Sequence, residues 1–115
     1  MPISAEEHEL LDFFGVEPVR EDPNEPWPYT DFLYEIARDD ESLSCAVAPG
    51  YKDIRLTLRR GDRRVYELNA VGVVDIRCQH DGDGAMLEIL LSEVETIRLR
   101  LAPGIEIRQD FTGEA

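Results

Sequence analysis

Cysteine is scarce: Cys45 and Cys78 are the only two in 115 residues, too few for a disulfide framework. Each stands in an apolar alternating pattern and reads as a buried thiol; bridging them needs Cα atoms within about 7 Å, which spacing alone does not reveal. Histidine is as rare, with only His8 and His80. Neither has a serine or cysteine beside it in a nucleophile elbow, so a Ser–His or Cys–His hydrolase is not expected. No stretch approaches the ~18 apolar residues needed to span a bilayer. The opening MPISAEEHELLDFF has neither the basic start nor the apolar run of a signal peptide. A cytoplasmic protein without membrane contact is therefore expected, a secreted form requiring a separate leader.

Basic residues are also few. Twelve Lys and Arg stand against twenty-five Asp and Glu, a net charge of −13, which opposes binding to DNA, RNA or anionic lipid through phosphate neutralisation. The one basic cluster, Arg59-Arg60-Gly61-Asp62-Arg63-Arg64, could grip a phosphate, but at a hairpin tip it reads as a solvated guard against edge pairing. His80-Asp81-Gly82-Asp83-Gly84 offers oxygen ligands without the twelve-residue rhythm and closing glutamate of an EF-hand, and Asp-Gly is an ordinary turn signal. With so many acids some pair by chance, and no spacing selects two for acid–base work. No catalytic residue, metal or cofactor is expected.

What is present is the composition of one globular domain over residues 1–115, 43% hydrophobic and 32% charged. Residues 1–15 read as a short helix, with Ser4 as N-cap, Glu7 completing a Ser-x-x-Glu capping box, and Gly15 as terminator. Leu10, Leu11, Phe13 and Phe14 give it an apolar end that must dock to persist. Residues 16–28 hold Pro18, Pro23, Pro26 and Pro28, a density that excludes helix and central strand and favours an extended wrapping path. Trp27 in this segment pins it to the core or else anchors a partner.

From residue 29 to 110 the period is two. Phe32, Tyr34 and Ile36 alternate with polar neighbours, as do Leu43, Cys45 and Val47, and Ile54, Leu56 and Leu58 mark the clearest half-buried strand. Val71 to Gln79 reads as one strand with Val74, Ile76 and Cys78 on a shared face and Gly72 marking a bulge or bend. Met86 to Leu91 is apolar on both faces except Glu88, as a central strand should be. Turns every 8–12 residues leave no room for crossover helices. The predicted fold is α+β, mainly β: a short N-terminal helix, a Pro-rich connection, a curved antiparallel meander of about 6–8 strands, sandwich or half-barrel like, and a tail over 111–115.

The charge is uneven. Up to Gly50, thirteen acids face only Arg20 and Arg38, a net of −11; the rest nets −2. The expected working surface is that acidic first half, namely Glu21, Asp22, Glu25, Trp27, Asp31, Glu35, Asp39, Asp40 and Glu41, steering onto a basic partner. The function expected is a non-enzymatic protein-binding module, in its most concrete form a bacterial immunity or inhibitor protein that covers a basic toxin or nuclease. Two alternatives stand beside it: a structural homodimer or larger homo-oligomer joined at a sheet edge, and a small-ligand or hydrolytic domain with a cleft near His80.

Overall fold

Alternation sets which side chains can share a core, and the computed structural model, which describes residues 3–27 and 29–111, follows it closely. Helix α1 spans Glu7–Phe14, and the strands are β1 Val19–Arg20, β2 Phe32–Arg38, β3 Glu41–Ala48, β4 Asp53–Arg60, β5 Arg63–Ala70, β6 Asp75–Asp81, β7 Gly84–Leu90, β8 Glu95–Arg100 and β9 Glu106–Phe111. They form two antiparallel sheets among the described residues, ordered β1-β2-β3-β4-β5 and β6-β7-β8-β9. Pro28 and the tail beyond Phe111 lie outside the described residues.

Within each sheet, every described strand pairs with its sequence neighbours, as short turns require. Three connections hold only two residues: Gly82-Asp83 between β6 and β7, and two in the five-stranded sheet. Arg38 pairs Glu41 around Asp39-Asp40, and Arg60 pairs Arg63 around Gly61-Asp62. The first residue of each of these last two takes positive φ, 50° at Asp39 and 61° at Gly61, which glycine adopts freely and Asp tolerates. The inward rows meet as one core: Phe32, Tyr34, Leu43, Cys45, Val47, Ile54 and Leu56 from the five-stranded sheet, Ile76, Leu87, Ile89, Ile97 and Leu99 from the other. Leu10 and Phe14, one helical turn apart, are buried with them. The Phe14 ring stacks on Tyr34 with centroids 4.5 Å apart.

Three local readings change. The helix does not start from Ser4: Glu6 occupies the N-cap position and its N–H donates to the Glu9 carboxylate at 2.9 Å. Ser4 instead gives its N–H (2.7 Å) and its hydroxyl to Asp75, and the Ala5 N–H donates to the Ile76 carbonyl at 2.8 Å. A carboxylate seventy-one positions away outbids the local cap. The Pro-rich connection, besides wrapping, supplies the two-residue β1, which brings the strands to nine; an edge position is where proline neighbours permit a strand.

The third change is at Val71–Val74, which is a crossing between sheets and not the start of a strand. Gly72 takes φ 59° and its N–H donates to the Asp53 carboxylate at 2.9 Å. The Val73 N–H then bonds the carbonyl of Lys52, in the turn leading into β4, and the Val74 N–H bonds that of Leu90 in the other sheet, at 2.9 and 2.8 Å. Val73 turns inward while Val74 is exposed, so Val74 does not share the face of Ile76.

Strand β7 is central, as its two apolar faces require. Its one polar core residue, Glu88, is buried by the cross-strand row Arg77, Glu88, Arg98: Arg77 Nε donates at 2.7 Å and Arg98 Nε at 2.9 Å. Burial opposes its ionisation, but the two arginines outweigh that and hold its pKa below the ordinary carboxylate value.

Candidate partner-binding surface

Antiparallel register places Val19, Leu33, Ala46, Arg55 and Asn69 in one row across the outer face of the five-stranded sheet. The next row holds Glu35, Ser44, Thr57 and Glu67, and the one after it Ala37, Ser42, Arg59 and Arg64. The middle strand β3 therefore shows the outside only Ser42, Ser44, Ala46 and Ala48. Longer side chains on β2 and β4 rise on both sides, and the result is a shallow trough. Two depressions mark its end nearest the β3–β4 turn. One of about 230 Å³ is lined by Asp31, Ala46, Ala48, Asp53, Arg55 and Val71, and one of about 210 Å³ by Val19, Glu21, Asp31, Leu33 and Ala46. Asp31 and Ala46 belong to both.

This end gathers part of the acidic set expected to bind a partner. The Glu21 N–H donates to the Asp31 carbonyl at 2.9 Å, extending the β1–β2 pairing. Their side chains face each other, and hydrogen bonding and repulsion from Asp31 hold the Glu21 pKa above its ordinary value. Asp22 and Glu25 follow in the tight loop, where the Glu25 N–H bonds the Asp22 carbonyl at 3.2 Å and Arg20 Nη2 bonds the Glu25 carbonyl at 2.8 Å. Trp27 is half-buried, its ring 4.9 Å from that of Phe32, so it pins the loop to the core.

Large apolar side chains stand exposed at the same end: Tyr29 at 73%, Tyr51 at 80%, Val19 at 63% and Val71 at 76%. Exposed aromatics are the residue type enriched where protein surfaces meet, while acidic side chains are usual at the rim of such contacts. Sequence reasoning passed over Tyr29, Tyr51 and Val71. Tyr51, directly after the Pro49-Gly50 turn signal and so at a loop tip, was the one with a usable clue.

The remaining acids do not join this group. Glu35 sits mid-face on β2, while Asp39, Asp40 and Glu41 lie at the far end of that seven-residue strand, roughly 23 Å away at 3.3 Å per residue. There they meet the arginine hairpin: Arg60 Nη2 is 2.8 Å from the Glu41 carboxylate, and the Gly61 N–H donates to the Asp40 carbonyl at 2.6 Å. Charge at that end is locally balanced. At the trough end, Arg55 stands beside Asp31 and Asp53.

A separate cleft opens under the helix, lined by Glu9, Asp12, Phe13, Cys78, His80 and Ala85, with a volume of about 120 Å³. Small-ligand pockets commonly run ≈ 300–1,000 Å³. Cys78 and Cys45 are both free thiols, and burial pushes Cys78 up to about 12 and Cys45 further. Protonated thiols of this kind are poor nucleophiles. Among the described residues, no group of three or more His, Cys, Asp or Glu is placed to hold a metal ion, and no helix is long and apolar enough to cross a membrane.

Sheet edges differ in their cover. Ser4 and Ala5 occupy the outer edge of β6. Strand β5 pairs with β4 alone among the described strands, and a bulge between Leu58 and Arg59 with Arg63 and Arg64 at its start discourages further pairing.

No protein-family model and no curated protein matches the chain. The fold, however, is similar to a solved one. A chain of the structure "Contact-dependent growth inhibition toxin - immunity protein complex from Klebsiella pneumoniae 342" superposes with a TM-score of 0.78 at 23% identity, covering 96% of this chain and 98% of that chain. The likeness runs the full length of both, and at this identity it is a likeness of fold.

Proposed function

We propose that this chain is a non-enzymatic protein-binding module of the immunity type, which neutralises a basic toxin by covering part of its surface. The observation that carries this reading is the full-length fold likeness to a chain of a toxin–immunity protein complex. Of those two roles, the acidic imbalance of this chain, twenty-five acids against twelve bases, suits the protein that covers a cationic surface and is drawn to it. The trough end of the five-stranded sheet is the contact face in this reading. Glu21, Asp22, Glu25, Asp31 and Glu35 supply attraction, Tyr29 and Tyr51 supply apolar area, and Asp39, Asp40 and Glu41 lie peripheral to the contact. Small side chains on β3 let the partner approach the sheet closely.

The test is capture on the immobilised chain at low and at high ionic strength, followed by coexpression with whatever protein is retained. The expected partner is basic, is released by salt, and arrests bacterial growth when expressed alone, with growth restored by this chain. A partner that is held equally at high salt, or whose expression leaves growth unaffected, would overturn the reading.

A further inference from the structure

The cleft under α1 lies away from the sheet face and has a chemistry of its own. Its volume of about 120 Å³ is below that of a cavity of roughly 150 Å³ that accepts benzene. It has room for one side chain. Phe13, Cys78 and Ala85 make most of its wall apolar, and His80 adds an imidazole that is within ion-pair distance of neither carboxylate; Glu9 and Asp12 stand three residues apart on the helix and so share a face at its mouth. Among the described residues neither carboxylate is within ion-pair distance of a Lys or Arg of this chain. The nearest arginine along β6, Arg77, points to the opposite face and is engaged by Glu88. An apolar pocket under two uncompensated carboxylates matches a side chain with an aliphatic stem and a cationic head. The planar fork of a guanidinium can meet carboxylates from two residues at once, which an ammonium does less well.

We propose that this cleft seats one arginine side chain of the protein partner, as an anchor separate from the sheet face. The inference rests on the reading of a chain that binds a basic protein, but it is tested without that protein. Isotope-labelled full-length chain is titrated at neutral pH with N-acetyl-arginine amide and, separately, with N-acetyl-norleucine amide, a neutral control of similar stem length. The expected result is a saturable shift of the backbone amides of Phe13, Cys78 and Ala85 with the arginine amide alone. Affinity should fall at least tenfold in Glu9→Gln/Asp12→Asn, where glutamine still accepts the Glu6 N–H, and in Ala85→Leu, which fills the cleft without changing charge. Shifts confined to the sheet-face acids, or a titration unchanged in both variants, would overturn the proposal while leaving the toxin-binding reading to its own test.

Discussion

Glu88→Ala removes one carboxylate and strands two arginines. Glu88 is 5% exposed, and each of its oxygens accepts a charge-assisted hydrogen bond, 2.7 Å from Arg77 and 2.9 Å from Arg98. Such bonds contribute about 1.5–3 kcal/mol each, and breaking a buried pair from one side costs about 3–5 kcal/mol. The full figure does not apply. The Arg77 side chain is 44% exposed and Arg98 31%, so both heads recover part of their hydration, and Arg98 keeps Asp110. A loss of about 2–3 kcal/mol remains. For a domain of this size roughly 4 °C accompanies each kcal/mol, so the melting temperature should fall by about 8–12 °C, with a matching drop in urea midpoint and an unchanged slope.

The pH dependence gives a second reading of the same cluster. Because the folded-state pKa of Glu88 lies below its ordinary 4.5, its contribution is fully present above that value and is lost as pH falls through the folded value. The gap between the parent protein and Glu88→Ala should therefore stay constant from neutral pH down to about 5 and close only in stronger acid. A fall of less than about 3 °C at neutral pH, or a gap already closed at about pH 6, would refute the assignment of Glu88 as the pinned centre of that sheet.

Three further outcomes follow from other residues. Tyr34 is 1% exposed and its hydroxyl has no hydrogen-bond partner among the described residues, so Tyr34→Phe should raise stability by about 1 kcal/mol in urea denaturation; a loss of that size would show that the hydroxyl is bonded. Asp75→Asn should free Ser4 and speed amide hydrogen exchange at Ala5. Burial opposes ionisation of Asp75, but the Ser4 bonds outweigh it and lower its pKa, so in the parent protein the same release should set in only as pH drops below the ordinary carboxylate range. Asp31→Lys should weaken capture of the basic partner at low ionic strength at least tenfold, whereas Asp40→Lys, at the balanced end of the sheet, should change it less than threefold; equal effects would disperse the contact face over the whole acidic half.

Inward-facing residues were legible because period two is a direct image of the pleat: Ile54, Leu56 and Leu58 are buried as the alternation says. The point where the chain crosses from one sheet to the other was not, since Val71, Val73 and Val74 carry the same strand preference whether they sit in a ladder or cross between sheets. Gly72 was the only sign, and it was compatible with a bulge. Ser4 misled for a similar reason. A local capping pattern competes with every distant acceptor, and Asp75 cannot be seen from seventy-one positions away.

The acidic first half divides for the same physical reason. Net charge along a chain ignores pairing, and the β3–β4 hairpin carries Arg60 back to Glu41 across nineteen positions. What looked like a continuous run from Glu21 to Glu41 becomes a compensated tip and a trough end where Glu21 and Asp31 press like charges together. A cation brought between them would relieve the repulsion, and the exposed Tyr29 and Tyr51 nearby would bury their rings with it. Electrostatic relief and apolar burial thus fall at one end of one sheet, and a basic protein surface is the kind of partner that can collect both.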